Sequence, residues 1–295
     1  MHLPRTHGAV TGDAIEPPAV GAGPDRLELY RWAVQDPLTQ ARVLQLVYAR
    51  VWPGRVPTLL REDFAGTALD SMAWVALCDG RRALAVELDR PTLDWARARA
   101  PALLGPRAER VTFVHGDVRQ VGPPDVPAAH VTAALNFSMF AFGERAVLRA
   151  YFEQARDSLA EHGVFVANAF GGAERMRAHV RTVSVADRTG LPGETPPAPF
   201  DYEWEQLPYE PATGQVDCRL HFARTGADGF AMRDAFSYRY RLWSLPELVE
   251  IAREAGFRDV QVWQHRHDPT AGVFLGPVDR VEPAERWVAY LVAVR

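Results

Sequence analysis

Acidic and amide side chains occupy the carboxyl ends of four apolar runs that read as buried strands. The runs LLRED, ALAVEL, RVTFVHGD and VTAALN bring Glu62, Glu87, Asp117 and Asn136 to these ends. Ligands of open α/β sheets bind at the carboxyl ends of parallel strands, so we expect these side chains to surround one ligand. An acid at the second strand suits the two hydroxyls of a ribose, and an acid at the third suits an adenine amino group. The spacing therefore predicts a nucleoside site.

The turn after the first of these strands has an unusual composition. The stretch LLREDFAGTALD, residues 59–70, begins like a strand, ends like the first turn of a helix and contains one glycine, Gly66. A dinucleotide site normally needs G-x-G-x-x-G, with the pyrophosphate bound at a helix amino terminus. This turn lacks that glycine spacing, and Glu62 and Asp63 would repel a pyrophosphate. A nicotinamide dehydrogenase is therefore disfavoured.

Alternating strands and helices surround these residues. The predicted strands cover 57–63, 81–89, 110–117, 130–140 and 164–170, and helices are predicted over 66–78, 90–100 and 144–163. Strands separated by such helices pair in parallel through right-handed crossovers. Before them, residues 27–52 read as a helix interrupted at Asp36-Pro37.

The pattern changes after Gly171. Polar and apolar residues alternate from Phe200 to Trp243, with turn signals at PATG and GADG, which predicts a meander of three antiparallel strands. A helix with Ser244 as its N-cap and Glu247 in a capping box follows, and then two strands. The predicted fold class is α/β, with a Rossmann-like doubly wound, mostly parallel sheet of seven strands, an inserted antiparallel meander and an N-terminal helical lid.

Composition excludes several function classes. The chain has 295 residues, 47% of them apolar, and a formal net charge of −4, so no cationic excess favours nucleic acid as a partner. Two cysteines provide neither a disulfide framework nor a thiolate metal site, which fits a reducing cytoplasm. No apolar run approaches the roughly 18 residues of a membrane span. HRHD, residues 265–268, could bind a metal only incidentally, and we expect no metal site.

Together these motifs resemble those of class I S-adenosylmethionine-dependent methyltransferases, most clearly over residues 57–170. The opening motif of that family is an acid followed by a glycine-rich turn, often D-x-G-C-G-T-G. EDFAGTA aligns with it, with Glu62 at the acid and Gly66 at the middle glycine, whereas Phe64 and Ala68 replace the outer glycines. The variant turn also resembles that of a bacterial branch of small-molecule methyltransferases. Since phenylalanine does not easily adopt a positive φ, we expect a modified path at Phe64.

The resemblance implies a site for S-adenosylmethionine. Glu87 would hold the ribose hydroxyls, Asp117 and the Val118 amide would hold adenine, and the backbone at Ala65 and Gly66 would approach the methionine part. The implied cofactor-binding residues are Glu62, Phe64, Ala65, Gly66, Thr67, Glu87, Leu88, Asp117, Val118 and Asn136. The implied domain organisation is a flexible arm (1–25), a helical lid (26–56), an S-adenosylmethionine-binding core (57–170), a meander forming a substrate cap (171–243) and the final core elements (244–295).

Residues for the acceptor are less sharply indicated. Asn136 and Ser138 are the catalytic candidates, because they follow the fourth strand, where the transferred methyl group would point. The substrate candidates are aromatic residues of the lid and meander together with one arginine: Tyr30, Trp32, Tyr202, Trp204 and Arg241. Helix packing explains Tyr30 and Trp32 equally well, and solvation or an ion pair explains Arg241 at least as well.

The sequence thus predicts a methyltransferase that moves a methyl group from S-adenosylmethionine to a nitrogen or oxygen of a small molecule by in-line displacement. Neither a nucleic acid nor a membrane is expected as a partner, and a homodimer is compatible with the sequence. One alternative is a non-catalytic module that binds S-adenosylmethionine or another nucleoside for regulation. The other is an aminopropyl-type transferase on the same fold, which would need acids near the fourth strand to bind a polyamine.

Overall fold

The structure, a computed structural model, describes residues 24–268 and 272–295, without the side chains of 266–268 and 272–274. Almost all of the predicted arm, 1–25, therefore lies outside the described residues. The same holds for the side chains of Arg266, His267 and Asp268 in HRHD.

The described residues form six α-helices and twelve strands. The helices are α1 (Arg26–Val34), α2 (Pro37–Val51), α3 (Leu69–Leu77), α4 (Arg90–Leu104), α5 (Arg145–Asp157) and α6 (Leu245–Glu254). The strands are β1 (Leu59–Asp63), β2 (Arg82–Glu87), β3 (Val111–His115), β4 (Ala129–Ala134), β5 (Leu159–Gly171), β6 (His179–Val185), β7 (Phe200–Gln206), β8 (Gln215–Arg224), β9 (Phe230–Arg241), β10 (Asp259–Asp268), β11 (Gly272–Pro277) and β12 (Trp287–Val294).

The larger sheet has the doubly wound arrangement that the sequence predicts. Its order is β11-β10-β12-β5-β4-β1-β2-β3, and β1 to β5 pair in parallel, whereas β12, β10 and β11 pair antiparallel with their neighbours. The chain winds outward from β1 in both directions, so the ligand crevice of such a sheet lies where β1 meets β4. The sheet has eight strands rather than the predicted seven. The additional strand is β11, whose segment GVFLGP carries glycine and proline at its ends and reads as a turn.

Helices cover both faces of this sheet. Residues of α2, α3 and α4 share one apolar cluster with β1, and residues of α5 and α6 share a second with β5. Asp36 and Asp89 cap α2 and α4 by accepting backbone N–H groups, and Ser244 forms the predicted capping box with Glu247. No helix in the described part of the chain is long and apolar enough to cross a bilayer.

The helix predicted over 144–163 is wrong at its carboxyl end. α5 ends at Asp157, and β5 already begins at Leu159, where it pairs with Ala129 of β4. The Ala129 amide donates to Ser158 O at 2.9 Å, which draws the chain into the sheet. Tertiary pairing here overrides a local sequence that is compatible with a helix.

The antiparallel sheet has four strands, in the order β6-β7-β8-β9. The sequence predicts three of them and misses β6, a largely exposed strand at the sheet edge. α1 packs against this sheet through Leu29 and Trp32, which share an apolar cluster with Phe200 and Phe222. The two amino-terminal helices therefore serve different layers, because α2 belongs to the core of the large sheet.

Candidate functional site

The turn between β1 and α3 has left-handed backbone at three alternate residues. The φ angles are 55° at Phe64, 52° at Gly66 and 55° at Ala68. Glycine would favour this conformation, whereas a side chain costs roughly 1–2 kcal/mol per residue there. The sequence predicts a modified backbone path at Phe64. The backbone instead keeps a positive φ there, although the residue is a phenylalanine.

Packing beneath the turn explains why Phe64 can hold this conformation. Its half-buried ring lies 5.6 Å from the ring of Phe142 and 5.4 Å from that of Tyr151, measured between centroids. The Ala65 amide donates to Val86 O at 3.0 Å, which fixes the turn to the neighbouring strand. The Phe64 ring therefore packs under the turn.

A fully buried ion pair lies below these rings. Arg61 Nε is 2.6 Å from Asp63 Oδ1, and Tyr151 OH donates to Asp63 Oδ2 at 2.9 Å. Arg61 also donates to the carbonyl oxygens of Val118 and Val121, at 3.0 and 2.7 Å. Burial raises the pKa of Asp63, and the contacts with Arg61 and Tyr151 reduce this rise. This network ties β1 to the segment after β3, and it gives Asp63 a structural role.

Buried carboxylates concentrate at the turn. Glu62 is 4% exposed and accepts the Ser71 amide at 2.8 Å. Asp70 is 1% exposed, and its Oδ1 has no hydrogen-bond partner among the described residues. Burial, reinforced by the charges of Asp70 and Glu87, raises the pKa of Glu62 well above its usual range. Burial and the charge of Asp36 raise the pKa of Asp70 to about 7. Nothing in the sequence distinguishes Asp70, because an acid in a first helical turn is ordinary.

Glu87 joins the ends of β1 and β2. Its Oε2 accepts the Gly66 amide at 2.7 Å, and its Oε1 accepts the Asp89 amide at 2.8 Å. Each carboxylate oxygen keeps a lone pair, so the group can still accept from two hydroxyls. The Leu88 side chain beside Glu87 is 65% exposed.

Thr67 links the turn to the end of α1. It is buried, and its hydroxyl donates to Gln35 Oε1 at 2.5 Å.

Asp117 follows β3 and pairs with Arg119. Both oxygens of Asp117 accept from the guanidinium at 2.5–3.0 Å, and these hydrogen bonds lower the pKa of Asp117. Val118 is buried beside it. An amino group on a ligand would therefore share or replace the contact with Arg119.

A cavity of about 310 Å³ lies between the two sheets. Asn136 and Phe137, which follow β4, form part of its wall, as do Asn168 of β5 and Tyr290 of β12. Asn168 is buried and its Oδ1 accepts the Phe137 amide at 2.8 Å, which fixes the left-handed backbone at Asn136 and Phe137. Only tertiary packing brings Asn168 next to Phe137, and no sequence pattern indicates this contact.

The opposite wall is the aromatic face of the antiparallel sheet. Tyr202 and Trp204 of β7 line the cavity together with Tyr238 and Tyr240 of β9, whose rings stack at 5.4 Å. The sequence predicts this separation of aromatic from charged residues, and the structure identifies the aromatic face as the cavity wall. Burial raises the pKa of each of these three tyrosines above its usual range, so the phenols stay neutral.

The other acceptor candidates are divided between the cavity and other places. Tyr30 lines the cavity, 5.0 Å from the ring of Phe236, and burial raises its pKa to about 12. Trp32 lies in the cluster between α1 and the antiparallel sheet, where it donates to Glu28 at 2.9 Å. Ser138 is not part of the cavity wall, and its hydroxyl donates to Leu135 O at 2.8 Å.

Arg241 lies in a separate surface groove with Glu247. Its guanidinium is 3.7 Å from the ring of Trp243, and it donates to Gly143 O at 3.0 Å. The structure thus brings Tyr30, Tyr202 and Trp204 to one cavity with Asn136, and it places Trp32, Ser138 and Arg241 elsewhere.

Cationic residues that the sequence analysis missed complete the cavity wall. Arg175, His179 and Arg181 come from the 3-10 helix Ala173–Met176 and from β6. This segment lies between the last predicted parallel strand and the predicted meander, and it shows no clear periodicity. None of the described residues that line the cavity is an aspartate or glutamate.

A polar cluster on the outer face of the antiparallel sheet contains Glu205, His221 and Asp234. His221 Nδ1 accepts the Asp234 amide at 2.8 Å, so Nε2 carries the proton and donates to Glu205 at 3.0 Å. Both ring nitrogens are therefore engaged, which leaves no free lone pair on the imidazole for a metal ion.

Comparisons with known proteins show the fold. No family model matches the chain, and no curated protein matches it in sequence. The sugar N-methyltransferase KedS8 from Streptoalloteichus is similar with a TM-score of 0.63 at 16% identity, over 100% of this chain and 99% of that one. The CcbJ methyltransferase from Streptomyces caelestis has a TM-score of 0.61 at 19% identity, over 93% and 99%. S-Adenosylmethionine-bound CalS10, an amino pentose methyltransferase from Micromonospora echinaspora, has a TM-score of 0.62 at 15% identity, over 90% and 94%. The chain has the fold of these methyltransferases, as its resemblance to the class I family predicts.

Proposed function

We propose that this protein transfers a methyl group from S-adenosylmethionine to a nitrogen atom of a small molecule held in the cavity. One observation carries the proposal. The segment 62–70 at the end of β1 contains Glu62 and Asp70 and lies beside Glu87 at the end of β2, and it adjoins a cavity that has no acid among its described residues. The first environment suits a cationic methyl donor, and the second suits a neutral nucleophile.

The donor site fits the cofactor chemically. When bound, S-adenosylmethionine supplies a methyl group that is already activated on a sulfonium. Burial raises the pKa values of Glu62 and Asp70, and a bound cation would lower them again by stabilising the carboxylates. The Oδ1 of Asp70, which has no partner among the described residues, offers a buried acceptor for an ammonium hydrogen. Glu87 would accept the ribose hydroxyls, and Asp117 would accept an adenine amino hydrogen. Gly66 leaves open space at the turn, because a Cβ placed there would meet only Phe64 O at 4.0 Å.

The charges of the acceptor cavity favour an amine. A positive environment lowers the pKa of a bound ammonium, so Arg175 and Arg181 favour the neutral amine that attacks. Such a nucleophile needs no strong base. His179 Nδ1 donates to Arg177 O at 3.1 Å, which leaves its Nε2 able to accept the proton released after transfer. The names of KedS8, a sugar N-methyltransferase, and CalS10, an amino pentose methyltransferase, are consistent with an amine acceptor.

The alternatives are less well supported. Aminopropyl transfer to a polyamine needs acids around the acceptor, whereas the described wall of the cavity carries cations. A non-catalytic module would be favoured if the turn after β1 had lost its left-handed backbone or the contact with Glu87. In this chain Phe64 and Ala68 retain left-handed backbone, and Glu87 remains at the turn.

Calorimetry with S-adenosylmethionine and S-adenosylhomocysteine tests the donor site. We expect both to bind, and Glu87→Ala to weaken binding about tenfold or more, because hydrogen bonds to a charged group are lost. Glu109→Ala, at an exposed site, is the matched control. Absence of binding to the folded wild-type protein would refute the proposal.

Mass spectrometry tests whether the methyl group goes to nitrogen or to oxygen. A panel of amines and alcohols is incubated with the protein and S-adenosylmethionine, and we expect the amines to gain one methyl group.

A further inference from the structure

Arg175 lines the cavity and has no counterion within ion-pair distance among the described residues. Its Nε is buried and has no hydrogen-bond partner, and it forms no ion pair with any residue that the structure describes. The remaining contacts are weak ones. One guanidinium nitrogen is 3.5 Å from Gln206 Oε1, and the group lies 4.7 Å from the centre of the Phe170 ring. A half-buried guanidinium in this state retains donors for a ligand.

The surrounding charges compensate Arg175 only in part, through the adjacent Glu174. Glu174 forms its ion pair with Arg286, at 3.2 Å, and none with Arg175. Arg181 and His179 line the same wall, and burial lowers the pKa of Arg175. An unpaired cation in a partly desolvated place is costly, and an anionic ligand would offset that cost.

The segment that carries Arg175 is held firmly in place. Gln206 is 1% exposed, and its amide nitrogen donates to Arg175 O at 2.9 Å and to Arg177 O at 3.0 Å. Trp204 lies on β7, two residues before Gln206, and lines the cavity. Its buried Nε1–H has no hydrogen-bond partner among the described residues. The wall therefore combines a stacked guanidinium with a second unused donor. A stacked guanidinium presents its edge, which matches the two oxygens of an oxyanion.

We propose that the acceptor carries an oxyanion, a carboxylate or a phosphate, in addition to its nucleophile, and that Arg175 binds this group with Trp204 Nε1–H as a second donor. This inference rests on the proposed function, since it names a property of the substrate for the same cavity. Arg175 thereby becomes a specificity residue. The aromatic walls bind the body of the acceptor and the oxyanion pairs with Arg175, which leaves Arg181 as the arginine of the wall that favours the neutral amine.

Binding of small aromatic probes to the protein saturated with S-adenosylhomocysteine tests the proposal. Benzoate and phenyl phosphate supply the two oxyanions, and benzamide is the uncharged match for benzoate. We expect one of the anions to bind at least about tenfold more tightly than benzamide, as expected for a hydrogen bond between charged groups. The indole N–H signal of Trp204, assigned by its loss in Trp204→Phe, should shift with that anion.

Variants of one segment separate the anion site from general charge. Arg175→Gln should abolish the preference for the anion, whereas Arg177→Gln, at an exposed position outside the cavity wall, should keep it. Trp204→Phe should weaken anion binding by about fivefold. Equal binding of the best anion and benzamide to the wild type, no binding of any probe, or a preserved preference in Arg175→Gln would each overturn the inference. Binding of S-adenosylhomocysteine is measured separately, so a failed donor site and a failed anion site are distinguishable.

Discussion

The proposed donor turn, residues 62–70 with Glu87, and the proposed acceptor cavity lie at the ends of neighbouring strands and differ in their ionisable side chains. The donor turn has the buried Glu62 and Asp70 and the half-buried Glu87, whereas the described wall of the cavity carries Arg175 and Arg181 and no acid. The proposed chemistry explains this difference. A cationic donor is stabilised by the first environment, and an amine is kept neutral by the second.

The two regions also differ in how they are held. The donor turn rests on the buried Arg61–Asp63 pair, whose polar atoms find partners in several elements. The cavity wall contains a guanidinium and an indole N–H with unused donors. Fully satisfied polar groups indicate a structural support, and unsatisfied ones in a cavity indicate a place for a ligand.

The largest effect is expected at the support of the donor turn. Arg61→Met should lower the free energy of unfolding by about 3–5 kcal/mol, because Asp63 is then buried without its partner. Chemical denaturation measures this change. Asp63→Asn added to Arg61→Met should restore part of the loss, and a loss below about 1 kcal/mol in the single variant would contradict the structural role.

The strained turn gives the next largest effect. Phe64→Ala should destabilise the protein by about 3 kcal/mol through loss of ring packing against Phe142 and Tyr151. Phe64→Gly should cost roughly 1 kcal/mol less than Phe64→Ala, since glycine adopts the positive φ freely. Denaturation of the two variants side by side checks the difference. A glycine variant less stable than the alanine variant would show that φ is not strained.

The acidity of the donor turn predicts a dependence of stability on pH. The pKa of Asp70 is raised from 3.8 to about 7, so its contribution to stability is full below pH 4 and is lost as the pH rises through about 7. Asp70→Asn removes this loss. We therefore expect the Tm of Asp70→Asn relative to wild type to be about 3 °C higher at pH 8 than at pH 5. Calorimetric scans at both pH values provide the measurement, and an equal difference at the two values would refute the assignment.

The smallest effect is expected at the arginine chosen from the sequence. Arg241→Ala should change the KM for the acceptor less than about twofold, because its guanidinium lies outside the cavity. Steady-state kinetics with the best amine from the acceptor panel tests this. An increase in KM comparable with that of Arg175→Gln would move the acceptor site toward the groove around Arg241.

The sequence indicates candidate donor residues more sharply than candidate acceptor residues for physical reasons. Glu87 and Asp117 could be recognised because strand periodicity places them at the carboxyl ends of successive strands. Tyr30 and Trp32 are two residues apart on α1, and sequence could not determine which one faces the cavity. Arg175 could not be found, because a short 3-10 helix between irregular segments carries no periodic signal and only tertiary packing brings it to the wall.

The contacts of Arg61 have a consequence for local unfolding. One side chain joins β1 to the carbonyl oxygens of Val118 and Val121, next to Asp117 in the chain. Opening of β1 or of the segment after β3 would break this set of bonds. The amide hydrogens of both segments should therefore exchange with solvent as one cooperative unit, and the two halves of the proposed nucleoside site should form and unfold together.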